Sequence, residues 1–404
     1  MKLKKSEVFK GPSKLTRVAF SFALVSGMAT VGTISALSST ASASNAPIEI
    51  MVLGSIQSAA LSEPGIVWGA TAGVDALNAA GGLDGHKIKI VSCNDELEVN
   101  IAEQCARTAV KDKVVAVVGS LTIYGDSVVP ILAKAGIPDI APFPNSASEE
   151  NNADSYPVDG GNLMEARGMA QIMEMNKVTA VNLIEVDSVA GIAGSGQTDQ
   201  ALSARGIQST NTQYVPPTVD DMSSAVFAAA SNGAGGVITQ LAPPQVVPTI
   251  EAESQANSGQ IYAFTTTILT PAELQQAGTA ANGVWAAGSF PATSDTSVPA
   301  IAAYTAAMSK YENGDALDDF SLNSWCGVQL LKLIAPSLKG KAITSASLKV
   351  ALGKIKDKPF LWIKSYSTTP NKTPGNSRIF NTTVFIYKVV NGAYVQQAEV
   401  ALNS

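Results

Sequence analysis

One histidine, three cysteines and the lack of any lysine or arginine run in the body of the chain set the first limits on this 404-residue sequence. With His86 as the only histidine, a zinc site built on several histidines is excluded, and a Ser-His-Asp triad would have to use that one ring. His86 ends Gly81-Gly82-Leu83-Asp84-Gly85-His86, a turn ahead of a strand, and reads as a solvated loop residue. The sequence has no P-loop and no dinucleotide fingerprint. Its Gly-rich stretch between a strand and a helix, Gly191-Ile192-Ala193-Gly194-Ser195-Gly196, lacks both the Lys-Ser/Thr pair and the G-x-G-x-x-G order. It reads as a flexible βα connection, although its amides would suit an anion at a helix N-terminus. Ser195 has no G-x-S-x-G frame, which argues against nucleophilic catalysis.

Charge is also scarce, at 15% of residues against 46% hydrophobic, and this excludes a disordered chain. The length suggests two or three folding units. Residues 1–43 combine six basic residues, an apolar stretch from Val18 to Leu37 and Ala41-Ser42-Ala43, the pattern of an export signal. A retained membrane anchor is the alternative, since the apolar stretch approaches a bilayer-spanning length. That segment holds six of the 27 basic and one of the 33 acidic residues, so the remainder carries 21 and 32 and a net charge of −11. Such a surface argues against nucleic acid as a partner. No cysteine stands at the cleavage site, so no lipid anchor is expected there, and no later apolar run reaches 20 residues. An exported chain with Cys93, Cys105 and Cys326 is expected to form one disulfide and keep one thiol.

After the signal, strand-like and helix-like runs alternate. Strands are expected at 48–53, 87–92, 114–118 and 137–141, with helices at 66–78, 99–110 and 127–135. After Tyr156 the pattern restarts, with helices at 163–175, 198–205, 222–230 and 245–255 among strands at 178–184, 207–214, 237–240, 261–264 and 283–287. Helices at about 299–313, 321–337 and 344–353 follow, then strands at 360–366, 383–390 and 393–400. Strands separated by helices of this length indicate βαβ units, parallel sheets and two α/β lobes. Open α/β sheets bind ligands at the loops after the carboxyl ends of their strands. Those loops offer Ser55, Leu121, Thr122, Tyr124, Phe143, Asn145, Ser146, Asp187, Leu241 and Thr266, with Glu63 in the first of them. They are small, hydroxyl-bearing and almost uncharged, which suits ligand binding better than proton transfer. Asn94-Asp95-Glu96-Leu97-Glu98 concentrates carboxylates; a Ca²⁺ site or an acid/base pair is conceivable, but helix capping is the simpler reading. Cys93 and Cys105 bracket it, one at a strand end and one on the next helix. No metal site or cofactor is expected.

Asn78-Ala79-Ala80-Gly81-Gly82-Leu83-Asp84-Gly85-His86-Lys87-Ile88 resembles the N-x-x-G-G-[IL]-x-G-x-x-[IL] signature of extracytoplasmic substrate-binding proteins of branched-chain amino acid transporters. The Gly54 loop, the helix with Gly69, the Val114–Gly119 segment and Gly136-Ile137-Pro138 add to the resemblance, which is most specific in 48–146. It implies a type I periplasmic binding protein fold: two Rossmann-like lobes, parallel central sheets and three crossovers. Lobe 1 would be 47–160 plus 290–358, and lobe 2 161–289 plus 359–404. The family's lobe-1 disulfide fits Cys93–Cys105, which would leave Cys326 as a buried thiol.

The resemblance implies a non-enzymatic, monomeric binding protein that delivers an amino acid, amide or small carboxylic acid to an ABC importer's permease. The alternatives are a ligand-sensing module for a receptor and, less favoured with one histidine, a secreted α/β hydrolase. Thr122, Tyr124, Asn145 and Ser146 match loops that hold the α-carboxylate in the family. Positions matching the ammonium site lie near Ala242 and Thr266, neither charged nor aromatic, leaving Glu63 and Asp187 as substitutes. A small acid or neutral molecule is therefore expected to bind better than leucine, isoleucine or valine.

Overall fold

The computed structural model describes residues 46–58, 61–312, 317–372 and 375–402, except the side chains of 189 and 190. The expected export segment lies outside the described residues.

The first run of elements is β1 (Ile48–Gly54), α1 (Gly65–Ala79), β2 (Ile88–Asn94), α2 (Val99–Asp112), β3 (Ala116–Val118), α3 (Gly125–Lys134), β4 (Asp139–Ile140), α4 (Ala147–Asn151) and β5 (Ser155–Tyr156). The five strands form one parallel sheet in the order β2-β1-β3-β4-β5. β1 lies inside the sheet, which explains why it is buried continuously from Ile50 to Gly54.

The second run is α5 (Gly161–Met175), β6 (Ala180–Val186), α6 (Val189–Ser203), β7 (Gln208–Val215), α7 (Ser223–Ala230), β8 (Gly236–Gln240), α8 (Pro243–Ala256), β9 (Ile261–Thr265), α9 (Pro271–Ala277) and β10 (Trp285–Gly288). After it come α10 (Pro299–Tyr311), α11 (Asp319–Leu338), α12 (Ser345–Leu352), the hairpin β11 (Lys358–Phe360) and β12 (Ile363–Tyr366), then β13 (Thr383–Val390) and β14 (Ala393–Ala401). The second sheet runs β14-β13-β10-β9-β8-β6-β7; its five inner-run strands are parallel, while β13 and β14 add antiparallel to one side. Neighbouring residues Leu183 and Ile184, Ile238 and Val237, and Ala263 and Phe264 enter opposite core clusters. Both faces of this sheet are therefore covered.

Three crossovers join the two lobes. The chain leaves the first lobe between β5 and α5, returns between β10 and α10, and leaves again between β12 and β13. The return is fixed by close packing on glycines. A Cβ at Gly69 of α1 would stand 1.9 Å from the Ser321 carbonyl oxygen, and one at Gly119 would stand 2.3 Å from Ser324 Cβ. Helix α11 thus lies directly on α1 and on the loop after β3. Phe360, Ile363 and Tyr366 join the first-lobe core with Trp325 and Leu331. The expected boundary at 358/359 falls inside this hairpin.

The Gly191–Gly196 stretch is not a loop: it forms the first half of α6. Ser188 caps that helix by accepting from the Gly191 amide, and the glycines permit close packing. A Cβ at 191 would meet the Val186 carbonyl at 2.0 Å, and one at 194 would meet Gln240 Oε1 at 2.1 Å. Helices α4 and α9 were not anticipated. His86 is half-buried, its Nδ1 donating to the Ala46 carbonyl at 2.8 Å. Among the described residues no helix is long and apolar enough to cross a membrane.

Cys93 on β2 and Cys105 on α2 form a disulfide with their Cα atoms 5.7 Å apart, and Cys326 is a buried free thiol. Closing a loop of this length, 12 residues apart in sequence, removes unfolded-state entropy worth about 3 kcal/mol. Replacing both cysteines by serine should lower the urea-unfolding free energy by about that amount; an unchanged midpoint would contradict the assignment.

Candidate functional site

The first-lobe loops are held together by buried carboxylates. Asp95 is fully buried and accepts from Ser55 Oγ at 2.9 Å, Thr122 Oγ1 at 2.6 Å and the Leu97 amide at 3.0 Å. It therefore ties together the loops after β1, β2 and β3. This corrects the helix-capping reading of Asn94–Glu98. The N-cap of α2 is Glu98, which makes no side-chain cap, while Glu96 and Leu97 adopt positive φ to turn Asp95 inward. Tyr124 donates to the Leu97 carbonyl at 2.6 Å, and Ser120 to Asp139 at 2.9 Å. Ser146 and the Asn145 amide both donate to Glu149. The hydroxyls expected to hold a ligand carboxylate are thus already engaged.

The other expected positions scatter. Leu121 and Phe143 are buried together in a small first-lobe cluster, Leu241 is buried in the second-lobe core, and Asp187 is exposed after β6. Thr266 donates to Asp319, a contact from the loop after β9 to the start of α11. Only Glu63 lines the main cavity.

That cavity, of about 400 Å³, lies between loops of both lobes. Ser58, Leu61, Ser62 and Glu63 come from the loop after β1, and Asp318 and Phe320 from the start of α11. Pro243 and Pro244 open α8, and the segment after β9 supplies Thr267, Ile268, Thr270 and Glu273. Three carboxyl groups line it and no lysine, arginine or histidine does. The Glu63 carboxyl makes no hydrogen bond among the described residues. Burial, then the neighbouring charges of Asp318 and Glu273, push its pKa up to about 8. Burial also raises Asp318, against the opposing pull of the Ser321 amide that it caps at 2.7 Å.

A second acidic layer lies behind the first. Thr267 donates to Glu165 of α5 at 2.9 Å, and Thr266 to Asp319. Asp159, on the first crossover, accepts from the Gly161 amide at 2.7 Å. Burial is the main cause raising all three: Asp159 to about 6, Asp319 to about 7, and Glu165 well above its usual range, where Asp159 adds repulsion. Among the described residues no group of three such side chains is arranged to hold a metal ion.

The sequence reading missed Asp318, Phe320 and Glu273. Asp318-Asp319-Phe320 precedes an apolar helical pattern as an N-cap does, and that was the available signal; its return beside the β1 loop was not in the local pattern.

Two α/β lobes joined by three crossovers, with a cavity between their loops, define a two-lobe binding protein. A family model described as "Periplasmic binding protein" matches residues 47–393, and the chain belongs to that family. Its fold is shared with a possible leucine/isoleucine/valine-binding protein of Rhodopirellula baltica (TM-score 0.75, 16% identity, 88% of this chain and 97% of that one). It is also shared with a branched-chain amino acid transporter substrate-binding protein of Streptococcus pneumoniae in complex with isoleucine (0.71, 18%, 88% and 99%). A third similar structure is a solute-binding protein of an ABC transporter of Rhodopseudomonas palustris, in complex with p-hydroxybenzoic acid (0.72, 18%, 88% and 97%). No curated protein matches the sequence.

The buried carboxyls give stability an unusual pH dependence. Burial holds Asp139 at about 7, with Asp159 and Asp319 near 6 and 7. The folded chain therefore keeps protons that an unfolded chain releases near pH 4. Their contribution is complete below that pH and is lost as pH rises through about 6–7. Urea unfolding should show free energy falling between about pH 5 and pH 8, with a shallower slope in Asp139→Asn. Stability rising across that window would contradict the assignment.

Proposed function

We propose that this chain is an exported solute-binding protein that captures a small organic molecule between its lobes and presents it to the permease of an ABC importer. The cavity lined by loops of both lobes carries this reading. A ligand touching both sides binds the closed arrangement better than the open one, and that difference drives closure. The first lobe comprises 47–160 and 290 to 366, the third crossover lying in 367–382 because the β11-β12 hairpin packs into the first-lobe core. The Asp319–Thr266 bond then joins the lobes behind the ligand. The chain acts as a monomer and turns nothing over. The absence of turnover is supported by the serine and threonine hydroxyls lining the cavity, which donate to protein acceptors: Ser58 to the Leu61 carbonyl, Ser62 to the Ser58 carbonyl, Thr267 to Glu165 and Thr270 to Glu273. His86 lies on the turn before β2, bonded to Ala46.

A thermal-shift screen of refolded, ligand-stripped protein tests the proposal. A true ligand at 100 times its dissociation constant adds about 2.7 kcal/mol of stability. Ser62→Trp and Ile268→Trp, which fill the cavity from opposite lobes, should each abolish the shift. A shift that survives both substitutions would place binding elsewhere and overturn the reading.

A further inference from the structure

The cavity has strong charge character, and that character opposes the carboxylic acid expected from the loop composition. Glu63, Glu273 and Asp318 come from three separate segments, two first-lobe and one second-lobe, and none has a basic partner among the lining residues. The helix ends and hydroxyls through which such a cleft would hold an anion are already occupied. Helix α8 points its N-terminus at the cavity, but its first two positions are Pro243 and Pro244, which have no N–H to offer. At α9 the first residue is Pro271 and the Ala272 amide is taken by Thr270 Oγ1 at 3.2 Å. At α11 the Ser321 amide is taken by the Asp318 carboxylate. The lining hydroxyls already donate within the protein, as do the more distant Ser55, Thr122 and Ser146.

Resting on the solute-binding reading above, we infer that the cleft's ligand is an organic cation without a carboxylate group: an amine or a quaternary ammonium with a short apolar part. The cationic centre is met by Glu63, Glu273 and Asp318, and the apolar part lies among Leu61, Ile268 and Phe320. Phe320 is held edge-on to Phe143, with ring centroids 5.2 Å apart, so it forms a fixed aromatic wall of the kind that suits an alkylated ammonium. A leucine-like zwitterion would bring its carboxylate among three like charges with no basic side chain to receive it. The groups facing Glu63 are Asp318 and Glu273, both acidic. Burial keeps the Glu63 proton on to about pH 8, so a bound cation must displace it.

Calorimetric titration of refolded protein with 1,4-diaminobutane, choline, leucine and benzoate, at pH 6, 7 and 8, decides the matter. One of the two cations should bind at least about tenfold more tightly than leucine and benzoate, and which one separates a primary amine from a quaternary ammonium. Its affinity should rise by about tenfold or more from pH 6 to pH 8. Glu63→Gln should flatten that rise, and Glu273→Gln should weaken binding while leaving the rise in place. Tighter binding of leucine or benzoate, lost in Ser62→Trp, would overturn the cation assignment and leave the solute-binding reading standing. Binding of any probe unaffected by Ser62→Trp and Ile268→Trp would remove that reading as well. No binding of either cation at millimolar concentration would also overturn the assignment.

Discussion

Taking a carboxylate out of water costs several kcal/mol unless hydrogen bonds, a cation or a proton compensates. This chain buries Asp95, Asp139, Glu149, Asp159, Glu165 and Asp319 along the loop ends of its two sheets. Asp95 is compensated by hydrogen bonds alone, two hydroxyls and an amide, and so it locks three loops into one rigid wall. Burial is the main cause that moves the pKa values of Asp159, Glu165 and Asp319 upward, with like charges adding to it at Glu165 and Asp319. Buried acids thus give rigidity through Asp95 and proton storage through Asp139, Asp159, Glu165 and Asp319.

The late return of the chain decides where these groups meet. Helix α11 docks on Gly69 and Gly119, where any side chain would collide with its backbone or with Ser324. That docking brings Asp318 and Phe320 to the loop after β1 and puts Asp319 within reach of Thr266. A cleft wall and the contact behind it therefore depend on two glycines much earlier in the chain, Gly69 and Gly119. The residues lining the cavity belong to both lobes.

Much of the fold was legible in the sequence. Apolar runs such as β3, and β1 from Ile50 on, separated by helices, point to a parallel sheet. The Gly81–His86 turn is equally explicit, since Gly82 adopts φ +79° and a Cβ there would meet the His86 carbonyl oxygen at 2.1 Å. The Gly191–Gly196 stretch misled because glycine signals close packing as readily as it signals a loop; only the neighbouring strands, through Val186 and Gln240, distinguish the two. Less of the site was legible. Ser55, Thr122 and Ser146 lie in the loops where ligands bind, but whether a hydroxyl faces a ligand or a buried aspartate depends on a partner distant in sequence. Glu63 was named from its place in the first loop, and it lines the cavity. Asp318 and Glu273 were not, because their convergence on Glu63 is a property of the tertiary fold.

The most direct test of a proton-holding acidic cleft is the number of protons exchanged when the cation binds. Isothermal titration at pH 7 in two buffers of different ionisation enthalpy measures it, as the slope of observed enthalpy against buffer enthalpy. The account predicts net release of a sizeable fraction of one proton, traceable to Glu63, whose carboxyl is held at about 8 before binding. A slope of zero, or proton uptake, would contradict it.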